Sequence, residues 1–282
     1  MQPANTWTIA AVQMDCRLAD FDTNLANACR HINAAADRGA RLIVLPECAL
    51  TGYGYSSRAD VLKVADTVPG RATEELQSLC AKRDVFVVVG LVEKDASNSK
   101  VYNACVLVGP NGLIGSYRKI HLPCIGLDRH VDPGDRPYAV YDIGGLRVGL
   151  AICFDASFPE ASRVLTLLGA DLIALPTNWA TPALKMAEMV CRVRALENHV
   201  YFVSVNRVGD EAGFHYIGRS SICHFDGDYL VSAAHEREEI IVAAVDPQAA
   251  RNKKVVACAG EYELDRVNWR RPEFYESLTK KA

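Results

Sequence analysis

A chain of 282 residues, half of them hydrophobic and only 23% charged, can bury a large core, either as one big domain or as two ordinary ones. Its net charge of −3 and its scattered basic residues lack the footprint of a nucleic-acid binder and favour a small-molecule partner. The opening MQPANTWTIAAVQMD has no basic start followed by an apolar stretch, and no run is long enough to cross a membrane, so a cytoplasmic protein is expected. The ten cysteines are dispersed, with no C-x-x-C pair and no close Cys/His group, which predicts mostly reduced, buried thiols and no metal site.

In chain order, WTIAAVQ reads as a strand and ADFDTNLANACRHINAAADRGA as a helix, with Leu25, Ala28, Cys29 and Ile32 on one face and Gly39 at its end. RLIVLPE follows as a strand, then ATEELQSLCAKRD as helix, VFVVVGLVE as strand, and VYNACVLVGPNGLIGSYRKI as two strands around GPNG. YAVYDIGGLRVGLAICF predicts a hairpin turning on GG, and PEASRVLTLLGA a helix leading into the strand DLIALP. A helix from about Pro182 to Asn198, its apolar face formed by Met186, Val190, Val193 and Leu196, precedes VYFVSVN. GRSSICHFDGDYLVSAA makes a hairpin on DGD, EEIIVAAVD a further strand, and RRPEFYESL a tail.

No low-complexity linker or internal repeat interrupts this pattern, so residues 1–282 are expected to form a single domain, with about 265–282 as a tail used in packing or oligomerisation. Helices alternate with strands, but several strand pairs are joined by tight turns, so the sheets are expected to be mixed. There is no G-x-G-x-x-G and no G-x-x-x-x-G-K-[ST], which argues against a nucleotide cofactor.

Three apolar strands each end in one reactive group: Glu47 after RLIVLP, Lys119 after GLIGSYR and Cys153 after RVGLAI. Taken singly, each has a plain explanation as a solvated loop carboxylate, a surface cation beside Arg118, or a buried thiol among ten. Taken together they form a chemical set. A thiol needs a base to become a nucleophile, and a lysine both depresses a thiol pKa and neutralises developing negative charge.

The letters around these residues, LPECALTGY, YRKIHLP, ICFDASFPEASR and GADLIALPTNW, resemble the nitrilase superfamily of carbon-nitrogen hydrolases. The opening IAAVQ, RALEN before VYFVSVNRVG, and GRSSI extend the resemblance over nearly the whole chain. It implies an α/β fold, a four-layer α-β-β-α sandwich with two mixed sheets, and a Glu-Lys-Cys triad that uses no metal or organic cofactor. Carried over residue by residue, it makes Glu47 the general base and acid, Lys119 the oxyanion-stabilising cation, Cys153 the nucleophile, and the Phe154 N–H a second oxyanion donor. It also implies a homodimer or higher homo-oligomer.

Many members carry a second glutamate between the lysine and the cysteine, whereas KIHLPCIGLDRHVDPGD contains none. Asp128 is the nearest counterpart, either in that accessory role or as a solvated loop carboxylate. CFDASFPE resembles the amidase and carbamoyl-hydrolysing branch more than the C-W-E-N of true nitrilases, so a small carboxamide is favoured over an N-carbamoyl compound or a nitrile. Tyr53, Asn178 and Trp179 fall at substrate-pocket positions of the family. The aromatic pair serves core packing equally well, and Asn178 can bond a backbone turn instead. His121, His130 and His199 read as structural, since Glu47 fills the role of base and no two of them have metal-ligand spacing. The mixed charges of DRHVDPGDR would select a charged or polar substrate if that loop formed the mouth of the site. Outside this chemistry stand a non-catalytic metabolite- or partner-binding protein and a redox-sensing thiol protein, with Cys124 or Cys48 as a distant resolving thiol.

Overall fold

A computed structural model describes residues 6–280. The chain begins with β1 (Trp7–Gln13), α1 (Phe21–Asp37), β2 (Leu42–Val44), α2 (Arg58–Val64), α3 (Arg71–Arg83), β3 (Phe86–Lys94), β4 (Val101–Gly109) and β5 (Gly112–Arg118). It continues through β6 (Val140–Asp142), β7 (Arg147–Leu150), α4 (Pro159–Leu167), β8 (Leu172–Thr177), α5 (Cys191–Asn198) and β9 (Tyr201–Asn206). Last come β10 (Val208–Glu211), β11 (Phe214–Ile217), β12 (Ser221–Cys223), β13 (Tyr229–Ser232), β14 (Glu239–Val245), α6 (Pro247–Arg251), β15 (Val255–Cys258) and β16 (Tyr262–Leu264).

Local chemistry sets these limits. Asp20 caps α1 by accepting from the Thr23 N–H, and Gly39, at φ +82°, takes the left-handed turn that ends it. Leu25, Ala28 and Ile32 are buried on one face as the spacing predicts, and Cys29 sits half-buried at its margin. All nine residues of β4 are buried, as expected of a strand covered on both faces.

Two mixed six-stranded sheets result, ordered β14-β1-β2-β3-β4-β5 and β13-β12-β9-β8-β7-β6. β1, β2 and β3 pair in parallel in the first, β7, β8 and β9 in the second, and the outer pairings are antiparallel. Side-chain alternation then divides the core. Ala10, Val12, Ile43 and Val87 share an apolar cluster with Leu25, Ala28 and Leu76 of α1 and α3, whereas Ile9, Ala11, Leu42 and Val88 join one that includes Val148, Leu172 and Val203 of the second sheet. β1 lies against β9, β3 against β8, and α4 and α5 pack on the second sheet. The packing therefore runs from α1 and α3 through the first sheet and the second sheet to α4 and α5.

The helix expected from about Pro182 to Asn198 departs from its expected form. A 3-10 turn at Thr181–Ala183 and a π turn at Met186–Val190 precede α5, and the wide π turn shifts the phase of the repeat. Val193 and Leu196 are exposed and Met186 and Val190 half-buried, while Ala187, Cys191, Arg194, Ala195 and Asn198 face inward. Arg194 can be buried because its Nε donates to the Ala156 carbonyl at 3.0 Å. The sequence reading did not anticipate α2, α6, the β10–β11 hairpin or the β15–β16 hairpin. The tail forms exposed 3-10 turns at Pro272–Phe274 and Glu276–Thr279, and residues 281–282 lie outside the described residues.

Candidate active site

β7 ends at Leu150, so Cys153 stands just past the strand, where it opens a 3-10 turn over Cys153–Ser157 with φ +45°. Such a backbone is strained for a side-chain-bearing residue and persists only where its surroundings hold it. Asp155 supplies that hold. Buried two residues on, it accepts from the Ile152 N–H at 2.9 Å and the Tyr117 hydroxyl at 2.8 Å, and it lies 2.7 Å from Nδ1 of His121. Tyr117 and His121 flank Lys119, so one carboxylate ties the cysteine turn to the end of β5.

Glu47 follows β2 on a turn that presses onto β3. At Gly90 a Cβ would come within 2.4 Å of the Cys48 nitrogen and 2.6 Å of the Glu47 Cα, which leaves room for glycine alone. Lys119 Nζ, fully buried, lies 2.8 Å from Glu47 Oε1 and 2.5 Å from Asp128 Oδ2. The Asn103 side chain in β4 donates to both carboxylates, to Glu47 Oε1 at 2.7 Å and Asp128 Oδ1 at 2.8 Å, and the Tyr53 hydroxyl donates to Asp128 Oδ2 at 2.8 Å. Asp128 is therefore a buried partner of the lysine and not a solvated loop carboxylate. Arg118 is equally far from a surface charge: it is buried among Glu93, Asp95 and Asp135 and stacks over the Tyr102 ring.

Burial raises the Glu47 pKa, with Lys119 opposing and Asp128 reinforcing that rise. Burial also works against the charge on Lys119, but Glu47 and Asp128 outweigh it and hold the ammonium well above its ordinary range. For Cys153 burial comes first and Glu47 second; together they push the thiol well above its ordinary value against the pull of Lys119 and a hydrogen bond at the Asn178 backbone. The expectation that the lysine depresses the thiol pKa is thus reversed in net effect, because desolvation of a fully enclosed sulfur exceeds one cation already shared by two carboxylates.

Cys153 opens into a cavity of about 360 Å³ whose wall includes Tyr53, Phe154, Asn178 and Trp179. All three pocket residues expected from the sequence are here. So are Met186, Phe214 and Tyr216, which sequence reasoning missed. Asn178 reaches no backbone turn: both polar atoms of its side chain, like the Tyr216 hydroxyl and Glu47 Oε2, are buried without a hydrogen-bond partner.

Residues 8–254 match the family model described as carbon-nitrogen hydrolase. The chain belongs to this family. Over 248 residues the hydrolase is 41% identical to a protein of Pyrococcus abyssi named nitrilase, covering 88% of this chain and 92% of that one. It is 30% identical to the human omega-amidase NIT2, covering 86% and 89%. Among solved structures, its fold is similar to that of an amidase from the nitrilase superfamily of Nesterenkonia AN1, with a TM-score of 0.82, 22% identity and 98% of each chain covered. It is also similar to that of a carbon-nitrogen hydrolase from Helicobacter pylori, with a TM-score of 0.85, 22% identity, and 98% and 99% covered.

The loop DRHVDPGDR of the hydrolase does not form the charged mouth considered above. Asp132 is held by Arg58 at 2.7 Å and the Val101 N–H at 2.9 Å, Asp135 by Arg118 and Tyr102, and the cavity wall takes Pro123 and Ile125 from just before the loop. His121 stacks on Phe158 beside Asp155, and His199 tilts against Phe225, with burial first and Lys253 next bringing its pKa down to about 4. Cys48 is buried and donates to Asn103 Oδ1, and Cys124 is exposed. Among the described residues no helix is long and apolar enough to cross a membrane.

Proposed function

We propose that this hydrolase cleaves small carboxamides to the acid and ammonia through a thioester on Cys153. The observation that carries the reading is the Cys153 thiol in the wall of the cavity, with buried Lys119 held 2.8 Å from Glu47 and 2.5 Å from Asp128. Glu47 takes the thiol proton as sulfur attacks the carbonyl carbon, and Lys119 with the Phe154 N–H stabilises the oxyanion. The C–N bond then breaks as Glu47 returns the proton to nitrogen, and ammonia leaves. A water activated by Glu47 cleaves the C–S bond, releasing the acid and restoring the thiol. Every proton passes through Glu47, so the cycle as written has no role for a metal or organic cofactor. Asp128, Asn103 and Tyr53 hold the lysine in place.

CFDASFPE supports amides over nitriles, and a mutant of the Nesterenkonia amidase carries the acetamide moiety of fluoroacetamide bound covalently at its active-site cysteine, so that fold admits a small amide to the thiol. The relative named nitrilase keeps nitriles in the test. Ammonia release from a panel of amides, N-carbamoyl compounds and nitriles, with Cys153→Ala as control, decides the matter. The expected result is amide-dependent ammonia that Cys153→Ala abolishes and that Glu47→Gln also abolishes, with no acyl adduct formed on Cys153 in Glu47→Gln. Nitrile turnover above amide turnover would reassign the reaction, and no ammonia from any of them would favour a binding protein. We further propose a homo-oligomer, supported by Val164 and Leu167 of α4, Leu168 just after it, and Val193 and Leu196 of α5, which are exposed on two helices in contact with each other.

A further inference from the structure

The cavity carries a statement about its substrate that the triad does not. Its wall is formed by Pro123, Ile125, Trp179, Met186, Phe214 and their neighbours, and among the described residues no aspartate, glutamate, lysine, arginine or histidine lines it. The cation nearest the reacting sulfur is already committed, since Lys119 is shared by Glu47 and Asp128. The free polar groups at the wall are neutral: the Asn178 amide and the Tyr216 hydroxyl, buried and unpartnered. Tyr216 is also packed from the other side, with the Arg207 guanidinium 4.4 Å from its ring centroid.

We infer that the cavity selects neutral carboxamides with an apolar acyl chain and rejects acyl groups that bear a carboxylate, and that Phe214 and Tyr216 of the β10–β11 hairpin are its specificity residues. This rests on the reading of Cys153 as the nucleophile. An acyl carboxylate would be stripped of water against apolar walls, with no cation among the described residues of the wall to pair with it. A hydrocarbon chain gains from the same walls. At about 30 Å³ for each water-sized unit, the cavity of about 360 Å³ takes on the order of ten non-hydrogen atoms. Asn178, a donor and an acceptor together, matches the primary amide group, and Tyr216 offers one further neutral contact.

The test compares kcat/KM for acetamide through hexanamide with the half-amides of succinic and adipic acid. The expected result is a gain of roughly threefold for each added methylene and at least about 100-fold discrimination against each half-amide relative to its neutral counterpart of equal length. Phe214→Lys is expected to narrow that discrimination by at least tenfold by placing a cation in the wall. Half-amides hydrolysed as well as neutral amides would overturn the inference while leaving the amidase reading standing. If no amide is hydrolysed, that reading falls, and alkylation of Cys153 still reports on the cavity. Iodoacetamide is then expected to label Cys153 at least 30-fold faster than iodoacetate, each rate normalised by site-resolved mass spectrometry to exposed Cys124. Equal normalised rates would overturn the inference.

Discussion

Burial raises Glu47 as well as Cys153, and this bears on how the rate depends on pH. As the proposed base, Glu47 acts only when ionised, so a raised carboxyl pKa is expected to move the acid limb of kcat/KM upward: activity rises with pH through a midpoint above the ordinary 4.5. Asp128 is one cause of that rise, because its negative charge disfavours a second one nearby. In Asp128→Asn the limb is therefore expected to move to lower pH, while kcat falls by about 10- to 100-fold as Lys119 loses one of its two anchors. A pH–rate profile decides it. A limb that stays fixed or moves upward would show that Asp128 does not act on Glu47.

At the level of elements, the turn after β2 aims Glu47 only because β3 offers it a glycine. Gly90→Ala is expected to cost about 1–3 kcal/mol in stability, since the methyl group meets backbone and not a flexible side chain. It is also expected to lower kcat by at least tenfold through displacement of Glu47. Urea unfolding and steady-state kinetics measure the two effects, and wild-type values in both would dismiss the close approach. Such dependence explains what could be read in advance. The strand-end positions of Glu47, Lys119 and Cys153 were legible because apolar runs stop at ionisable or thiol groups, and the surrounding motifs pointed to the carbon-nitrogen hydrolase family. Asn103 left a signal too, as a lone amide in the apolar strand VYNACVLV. The β10–β11 hairpin did not stand out. It turns on Ala212–Gly213, both at positive φ, where the usual cue is Asn or Gly at the first position. Phe214 and Tyr216 were missed with it. The orientation of α5 was misread because a buried Arg194 and Asn198 break the apolar count.

Across the whole molecule the two sheets repeat one pattern. Read as β14-β1-β2-β3-β4-β5 and β6-β7-β8-β9-β12-β13, the strands of both pair antiparallel, parallel, parallel, antiparallel, antiparallel. The sequence carries no visible repeat, because pairing direction is set by connection length and not by matching residues. Glu47 and Lys119 leave the first sheet and Cys153 the second, so the shared core between the sheets fixes their spacing. The apolar faces of α4 and α5 lie outside that core. Val193→Lys combined with Leu167→Lys is expected to shift the protein from oligomer to monomer in sedimentation velocity, and a monomeric wild type would remove the basis for the assembly.

The raised pKa of the Cys153 thiol also bears on how the hydrolase wears. Peroxide attacks thiolates, and a sulfur whose pKa burial raises offers little of that form. Inactivation by hydrogen peroxide at neutral pH is expected to run no faster than oxidation of an ordinary free cysteine, as followed by residual ammonia release. The nucleophile would then be armed by its substrate and would otherwise survive an oxidant that consumes enzymes whose cysteine rests ionised.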